Sequence, residues 1–118
     1  MITAVHALLY SKDAERLRAF LRDVVKLPSL DAGGGWPIFK SPPAELAVHP
    51  TDEEPFHELY LMCDDVHATV AELETHGVSI TTPIADRGWG LVTRLRLPGG
   101  DEIGLYQPKH PTAYDLDR

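Results

Sequence analysis

The sequence predicts an α+β fold in which a single domain is built from two tandem βαβββ modules. The chain has 118 residues, the size of one domain. Strand-like and helix-like apolar patterns follow each other in the same order in both halves. Asp13 and Asp65, which open the two predicted helices, lie 52 residues apart, and residues 44–49 match residues 101–106 at an offset of 57.

The first module covers residues 1–50. Residues 2–10 are apolar and β-branched, which favours a buried strand. A helix follows, because Leu17 and Leu21 recur at helical spacing, and Pro28 ends it. Weaker strand patterns then occupy residues 29–32, 36–40 and 44–49.

The second module covers residues 56–109 and follows an acidic, proline-flanked linker at 51–55. Its first predicted strand is residues 56–63. A helix follows with Val66 and other apolar residues turned inward, and Gly77 suits its C-terminal cap. The remaining predicted strands are residues 78–82, 91–97 and 102–107, and residues 110–118 form a tail.

The charge balance limits the partners of the chain. Eleven Lys and Arg against eighteen Asp and Glu give a net charge of −7, which disfavours nucleic acid and anionic membrane surfaces. No apolar stretch is long enough to predict a membrane span. A single cysteine, Cys63, excludes an intrachain disulfide, so we expect a reducing, cytoplasmic setting.

Two short motifs, together with the repeat, indicate a family. Residues 63–66, Cys-Asp-Asp-Val, lead from a strand into a helix, and residues 97–100, Leu-Pro-Gly-Gly, precede the last strand. The chain resembles the vicinal oxygen chelate superfamily, which includes glyoxalase I, extradiol dioxygenases and bleomycin-resistance proteins. That resemblance implies that the two modules form a curled mixed β-sheet around a cavity for a small-molecule ligand. It also implies a homodimer and, in many members, a divalent metal ion in the cavity.

The resemblance also places four metal-ligand positions on the first and last strands of each module. His6 and Glu58 occupy two of them and carry suitable donor atoms. Ala47 and Gly104 occupy the other two and offer no side-chain lone pair. We therefore expect a degenerate metal site. Three further donors lie two residues away on the same predicted faces: Glu45, His49 and Glu102.

Five side chains are candidates for contact with the ligand. Trp36, Trp89 and Tyr106 could line a pocket for a flat or apolar molecule, for which core packing is the alternative role. Arg94 and Arg96 lie two residues apart on a predicted strand, so their side chains project from the same face. If that face lines the cavity, Arg94 would hold an anionic group. His49 ends a predicted strand, and exposure to solvent is the alternative for it.

Three classes of function remain open on the sequence. The favoured one is a glyoxalase- or bleomycin-resistance-like protein that binds a small molecule through a degenerate metal site. The alternative is a divalent-metal-dependent lyase, isomerase or dioxygenase that chelates vicinal oxygens of its substrate. The third is an interaction module whose cavity is filled by side chains. The fold by itself does not name a ligand or establish catalysis.

Overall fold

The computed structural model describes residues 3–4 and 6–116 and has the predicted α+β class. Over these residues it contains two helices and seven strands. The helices are α1 (Ala14–Asp23) and α2 (Val66–Thr75), and the strands are β1 (Ser29–Asp31), β2 (Pro37–Phe39), β3 (Tyr60–Met62), β4 (Ser79–Ile80), β5 (Ala85–Asp86), β6 (Gly90–Arg96) and β7 (Glu102–Pro108). Neither helix has the length and apolar character needed to cross a lipid bilayer.

Both helices begin at an aspartate, as their sequences predict. The carboxylate of Asp13 accepts a hydrogen bond from the Arg16 amide at 3.2 Å, and that of Asp65 accepts one from the Ala68 amide at 3.0 Å. Gly77 follows the end of α2 with a φ of +78°, a left-handed conformation that glycine adopts at little cost. The amphipathic pattern and the caps therefore determine both helices locally.

A mixed sheet carries the second half of the chain. Its strands lie in the order β3-β7-β6-β4, with β5 also paired to β6. Strands β6 and β7 are antiparallel and align Arg94 with Gly104, whereas β3 runs parallel to β7 and aligns Tyr60 with Gly104. One face of the sheet packs on the helices. The buried core residues are Leu17, Phe20, Val66, Leu95, Leu97, Ile103 and Leu105.

The first half departs from the predicted strand pattern. Within the described residues, the predicted strands 2–10 and 44–49 have no ladder partner and are not strands, and β1 pairs with β2 alone. A strand exists only where a second strand accepts its hydrogen bonds, and the prolines at 42, 43 and 50 lack the N–H group that a ladder needs. The complete βαβββ arrangement of module one is therefore not present in the described residues.

Candidate functional site

Three aromatic rings pack against one another on the sheet face opposite the helices. They belong to Tyr60 of β3, Tyr106 of β7 and Trp89, which precedes β6. Their centroids lie 5.1 to 6.1 Å apart and their planes cross at 75° to 90°. This edge-to-face geometry is the favoured one for aromatic pairs. We call these three residues the aromatic cluster.

Two glycines make room for the cluster. Gly104 lies beside Tyr60 in the parallel ladder, and a Cβ atom at position 104 would overlap the Tyr60 ring. Gly90 lies under the Tyr106 ring, where a Cβ atom would approach a ring carbon at 2.8 Å. The Tyr60 ring thus occupies the space beside Gly104 that a longer side chain at that position would need.

A polar group of three residues borders the cluster. The Tyr106 hydroxyl lies 3.2 Å from Nε2 of His110 and 3.4 Å from Oε1 of Glu45. Nδ1 of His110 lies 2.7 Å from the Pro111 carbonyl oxygen, which can only accept a hydrogen bond. With Nδ1 protonated, Nε2 of His110 and Oε1 of Glu45 are the two acceptors within reach of the one hydroxyl hydrogen of Tyr106.

A second polar group lies on the other side of the cluster. The Tyr60 hydroxyl donates to Glu58 at 3.4 Å, and Nη1 of Arg94 lies 3.9 Å from the same carboxylate oxygen. Arg94 also donates to the Glu102 carbonyl oxygen at 3.3 Å. Glu58 is therefore engaged by a phenol and a guanidinium group, and Arg94 is directed to a carboxylate of the chain itself.

Burial raises the pKa of both tyrosines in the cluster. The nearby carboxylates, Glu58 for Tyr60 and Glu45 for Tyr106, raise them further because a phenolate beside a carboxylate is repelled. Both hydroxyls are therefore neutral hydrogen-bonding groups at neutral pH. Burial likewise raises the pKa of the Cys63 thiol, and this side chain packs against the core as a small apolar residue would.

The structure brings some of the predicted ligand-contacting residues together and leaves others apart. Trp89 and Tyr106 are in the cluster, and Arg94 lies on the same sheet face because it is aligned with Gly104. Trp36 is 66% exposed, and the guanidinium of Arg18 covers its ring at 5.0 Å. His49 is exposed in the segment between β2 and β3.

The structure places the predicted metal-ligand positions in different surroundings. His6 is exposed, Glu58 is held by Tyr60 and Arg94, and Ala47 has no donor atom. The Tyr60 ring covers the fourth position, Gly104. Among residues 3–4 and 6–116, no three His, Cys, Asp or Glu side chains are grouped as metal ligands would be.

Three residues complete the site through contacts that no local sequence pattern specifies. Tyr60 lies beside Gly104 because of the register between β3 and β7, which its local sequence does not specify. Glu45 was named as a donor near the metal position, and it instead bonds the tail through the Ala113 amide at 2.8 Å. His110 reaches Tyr106 through the course of the chain after β7, for which its local sequence gives no signal.

Two helices packed on one face of a mixed sheet, with an aromatic cluster on the other, define the class of the protein as α+β. The family model described as Glyoxalase/Bleomycin resistance protein/Dioxygenase superfamily matches residues 3–103. The chain belongs to this superfamily, as the two sequence motifs and the repeat suggested. No curated protein sequence matches the chain.

Solved structures share this fold at low sequence identity. TnmS3, an antibiotic binding protein from a Streptomyces species, has a TM-score of 0.57 and 23% identity over 92% of this chain and 100% of its own. A lactoylglutathione lyase from Agrobacterium tumefaciens has a TM-score of 0.64 and 19% identity over 90% of this chain and 94% of its own. A superfamily member from Sphaerobacter thermophilus has a TM-score of 0.62 and 19% identity over 90% and 98%.

Proposed function

We propose that the chain is a small-molecule-binding protein whose ligand contacts the aromatic cluster, and that it binds this ligand without a metal ion. The observation that carries the proposal is the Tyr60 ring above Gly104, because an aromatic surface lies where a metal ligand would have to stand. Trp89 remains 41% exposed, so part of its ring is free to stack on a ligand. The antibiotic binding protein of similar fold is compatible with this function.

Binding of a flat neutral probe tests the proposal. In a Trp36→Phe background Trp89 is the one remaining tryptophan, because the chain has two. We expect 1-naphthylmethanol to bind this variant in isothermal titration calorimetry. Trp89→Ala should weaken binding about tenfold, since one aromatic contact contributes about 0.5–1.5 kcal/mol besides the area that it buries. Unchanged affinity in Trp89→Ala would contradict the proposed site.

Metal analysis separates this function from the alternative of a chelating enzyme. The purified chain and its His6→Ala variant are incubated with zinc and manganese, passed over a desalting column and analysed by mass spectrometry. We expect no stoichiometric metal in either protein. One metal ion per chain that disappears in His6→Ala would favour the metal-dependent lyase, isomerase or dioxygenase.

We also infer that two copies of the chain associate through apolar residues of the first half. Val48 is 98% and Leu46 is 85% exposed, and Leu8, Tyr10 and Phe56 are exposed as well. The accessible surface is 9226 Å², whereas a monomer of 13.1 kDa has about 6,400 Å². A stable homodimer buries about 2,000 Å² or more of such surface. This inference agrees with the homodimer that the resemblance implies.

Sedimentation velocity tests the dimer. We expect the wild type to sediment as a dimer and the double variant Leu46→Glu, Val48→Glu as a monomer, because buried charges without partners oppose association. Ala71→Glu, on the exposed face of α2, is the matched control and should remain dimeric. A wild-type chain that sediments as a monomer at high concentration contradicts the inference.

We further infer a cytoplasmic location. The single cysteine supports it, since Cys63 has no cysteine partner in the chain and packs against the core as a free thiol. Cell fractionation of a tagged chain tests this inference, and recovery from the extracellular medium would contradict it.

A further inference from the structure

Glu45 is a partly buried carboxylate with little positive charge around it. Its side chain is 18% exposed. Among the described residues, its one ion-pair partner is His110, at 3.9 Å, and this partner is charged only when protonated. By contrast, Glu58 on the other side of the cluster has Arg94 at 3.9 Å. The positive charge of a bound ligand would stabilise a carboxylate in such a position.

The surroundings of Glu45 suit a cation that also carries a flat ring. Oε2 of Glu45 accepts a hydrogen bond from the Ala113 amide at 2.8 Å, while Oε1 accepts a long one from the Tyr106 hydroxyl at 3.4 Å and lies 3.9 Å from Nε2 of His110. Oε1 therefore has capacity for a stronger hydrogen bond. The Tyr106 ring that carries this hydroxyl packs on Trp89 with the two centroids 5.1 Å apart, and the face of an aromatic ring attracts positive charge.

The tail already places a group of this kind at the site. The His110 ring lies 6.0 Å from the Tyr106 ring and is tilted by 32°, and its Nε2 lies toward Glu45. A protonated imidazole in this position is a flat cation between an aromatic ring and a carboxylate. His110 thus marks the place that an external cation would take.

We propose that the site takes a protonated amine attached to a flat apolar ring, with the ammonium group between Glu45 and Tyr106 and the ring on Trp89. His110 vacates the place when the ligand enters. This proposal rests on the proposed function, because it names the ligand class of the same aromatic cluster. Glu45 supplies the selectivity for charge, and the cluster supplies affinity that does not depend on charge.

Three probes of similar shape and different charge test the ligand class. They are 1-naphthylmethylamine, a cation at neutral pH, 1-naphthylmethanol, which is neutral, and 1-naphthoate, an anion. We expect the amine to bind the wild type at least about tenfold more tightly than the alcohol in calorimetry at low salt, because a charged hydrogen bond is about twice as strong as a neutral one. The anion should bind most weakly.

Matched variants assign the selectivity to Glu45. Glu45→Gln should reduce the preference for the amine over the alcohol to about twofold or less, since the amide keeps the shape and loses the charge. Glu72→Gln, on the exposed face of α2, should keep the full preference. His110→Ala should raise amine affinity, because it removes the competing ring. Circular dichroism of the aromatic bands confirms that each variant is folded.

The outcomes separate this proposal from the one on which it rests. If amine and alcohol bind equally and both depend on Trp89, the aromatic site stands and the ligand class is wrong. A preference that survives Glu45→Gln, or amine affinity that falls in His110→Ala, overturns the proposal in the same way. A chain that binds none of the three probes contradicts both proposals.

Discussion

Gly104→Ala tests the packing on which the site depends. The added methyl group would overlap the Tyr60 ring, which must move away from the sheet together with its contacts to Trp89 and Tyr106. Forcing an extra carbon into a packed position costs about 1–3 kcal/mol. The lower backbone entropy of alanine in the unfolded chain offsets about 0.4–1 kcal/mol of this. The overlap should therefore dominate, and the variant should be less stable.

The expected loss can be measured in two ways. A chain of 118 residues loses about 4 °C of Tm per kcal/mol, so we expect a decrease of up to about 10 °C by calorimetry, with a lower urea midpoint. The aromatic circular dichroism should weaken as the rings separate. Gly100→Ala is the control, because a Cβ atom there meets its nearest neighbour at 3.7 Å, an ordinary contact.

A double-mutant cycle identifies the cause. In a Tyr60→Leu background the branched aliphatic side chain adapts more easily than a rigid ring, so Gly104→Ala should cost less than in the wild type. If Gly104→Ala is as stable as the wild type and keeps the aromatic signal, the Tyr60 ring does not occupy the space beside Gly104. The structural reason against a metal ligand at this position would then be lost.

Three further predictions concern a helix cap, the tyrosines and metal binding. Asp65→Ala should lower the free energy of unfolding by about 1 kcal/mol in urea titrations, because an amide at the start of α2 loses its acceptor, whereas Asp64→Ala should change it little. Since the pKa values of Tyr60 and Tyr106 are raised in the folded chain, stability should fall as pH rises above about 10, where unfolded tyrosine ionises first, and Tyr106→Phe should fall less. Zinc titrated into the wild type and His6→Ala should give the same weak isotherm by calorimetry.

Each of these predictions has an outcome that contradicts it. Equal losses in the two aspartate variants would mean that the cap of α2 is not the cause. A urea midpoint with the same pH dependence in Tyr106→Phe and the wild type would show that this hydroxyl is not buried. Tight zinc binding that requires His6 would restore the chelate site.

The second half of the fold follows from its sequence because its signals are local and agree with each other. Asp65, the apolar residues of α2 and Gly77 specify one helix between them. Alternation places Ile103 and Leu105 toward the helices, and both are buried. In the first half the apolar segments were equally visible, but alternation cannot show whether a strand has a partner. The described residues of 2–10 and 44–49 have no partner in a ladder and are therefore not strands.

The sequence determined the family, the two helices and the core face of the sheet, because these depend on residue type and short spacing. It also showed that Ala47 and Gly104 lack donor atoms. The tertiary structure decided which groups meet. Parallel pairing of β3 with β7 puts Tyr60 over Gly104, and the tail puts His110 beside Tyr106 and Glu45. These contacts join residues distant in the chain, so they depend on register and chain path, which no local pattern specifies.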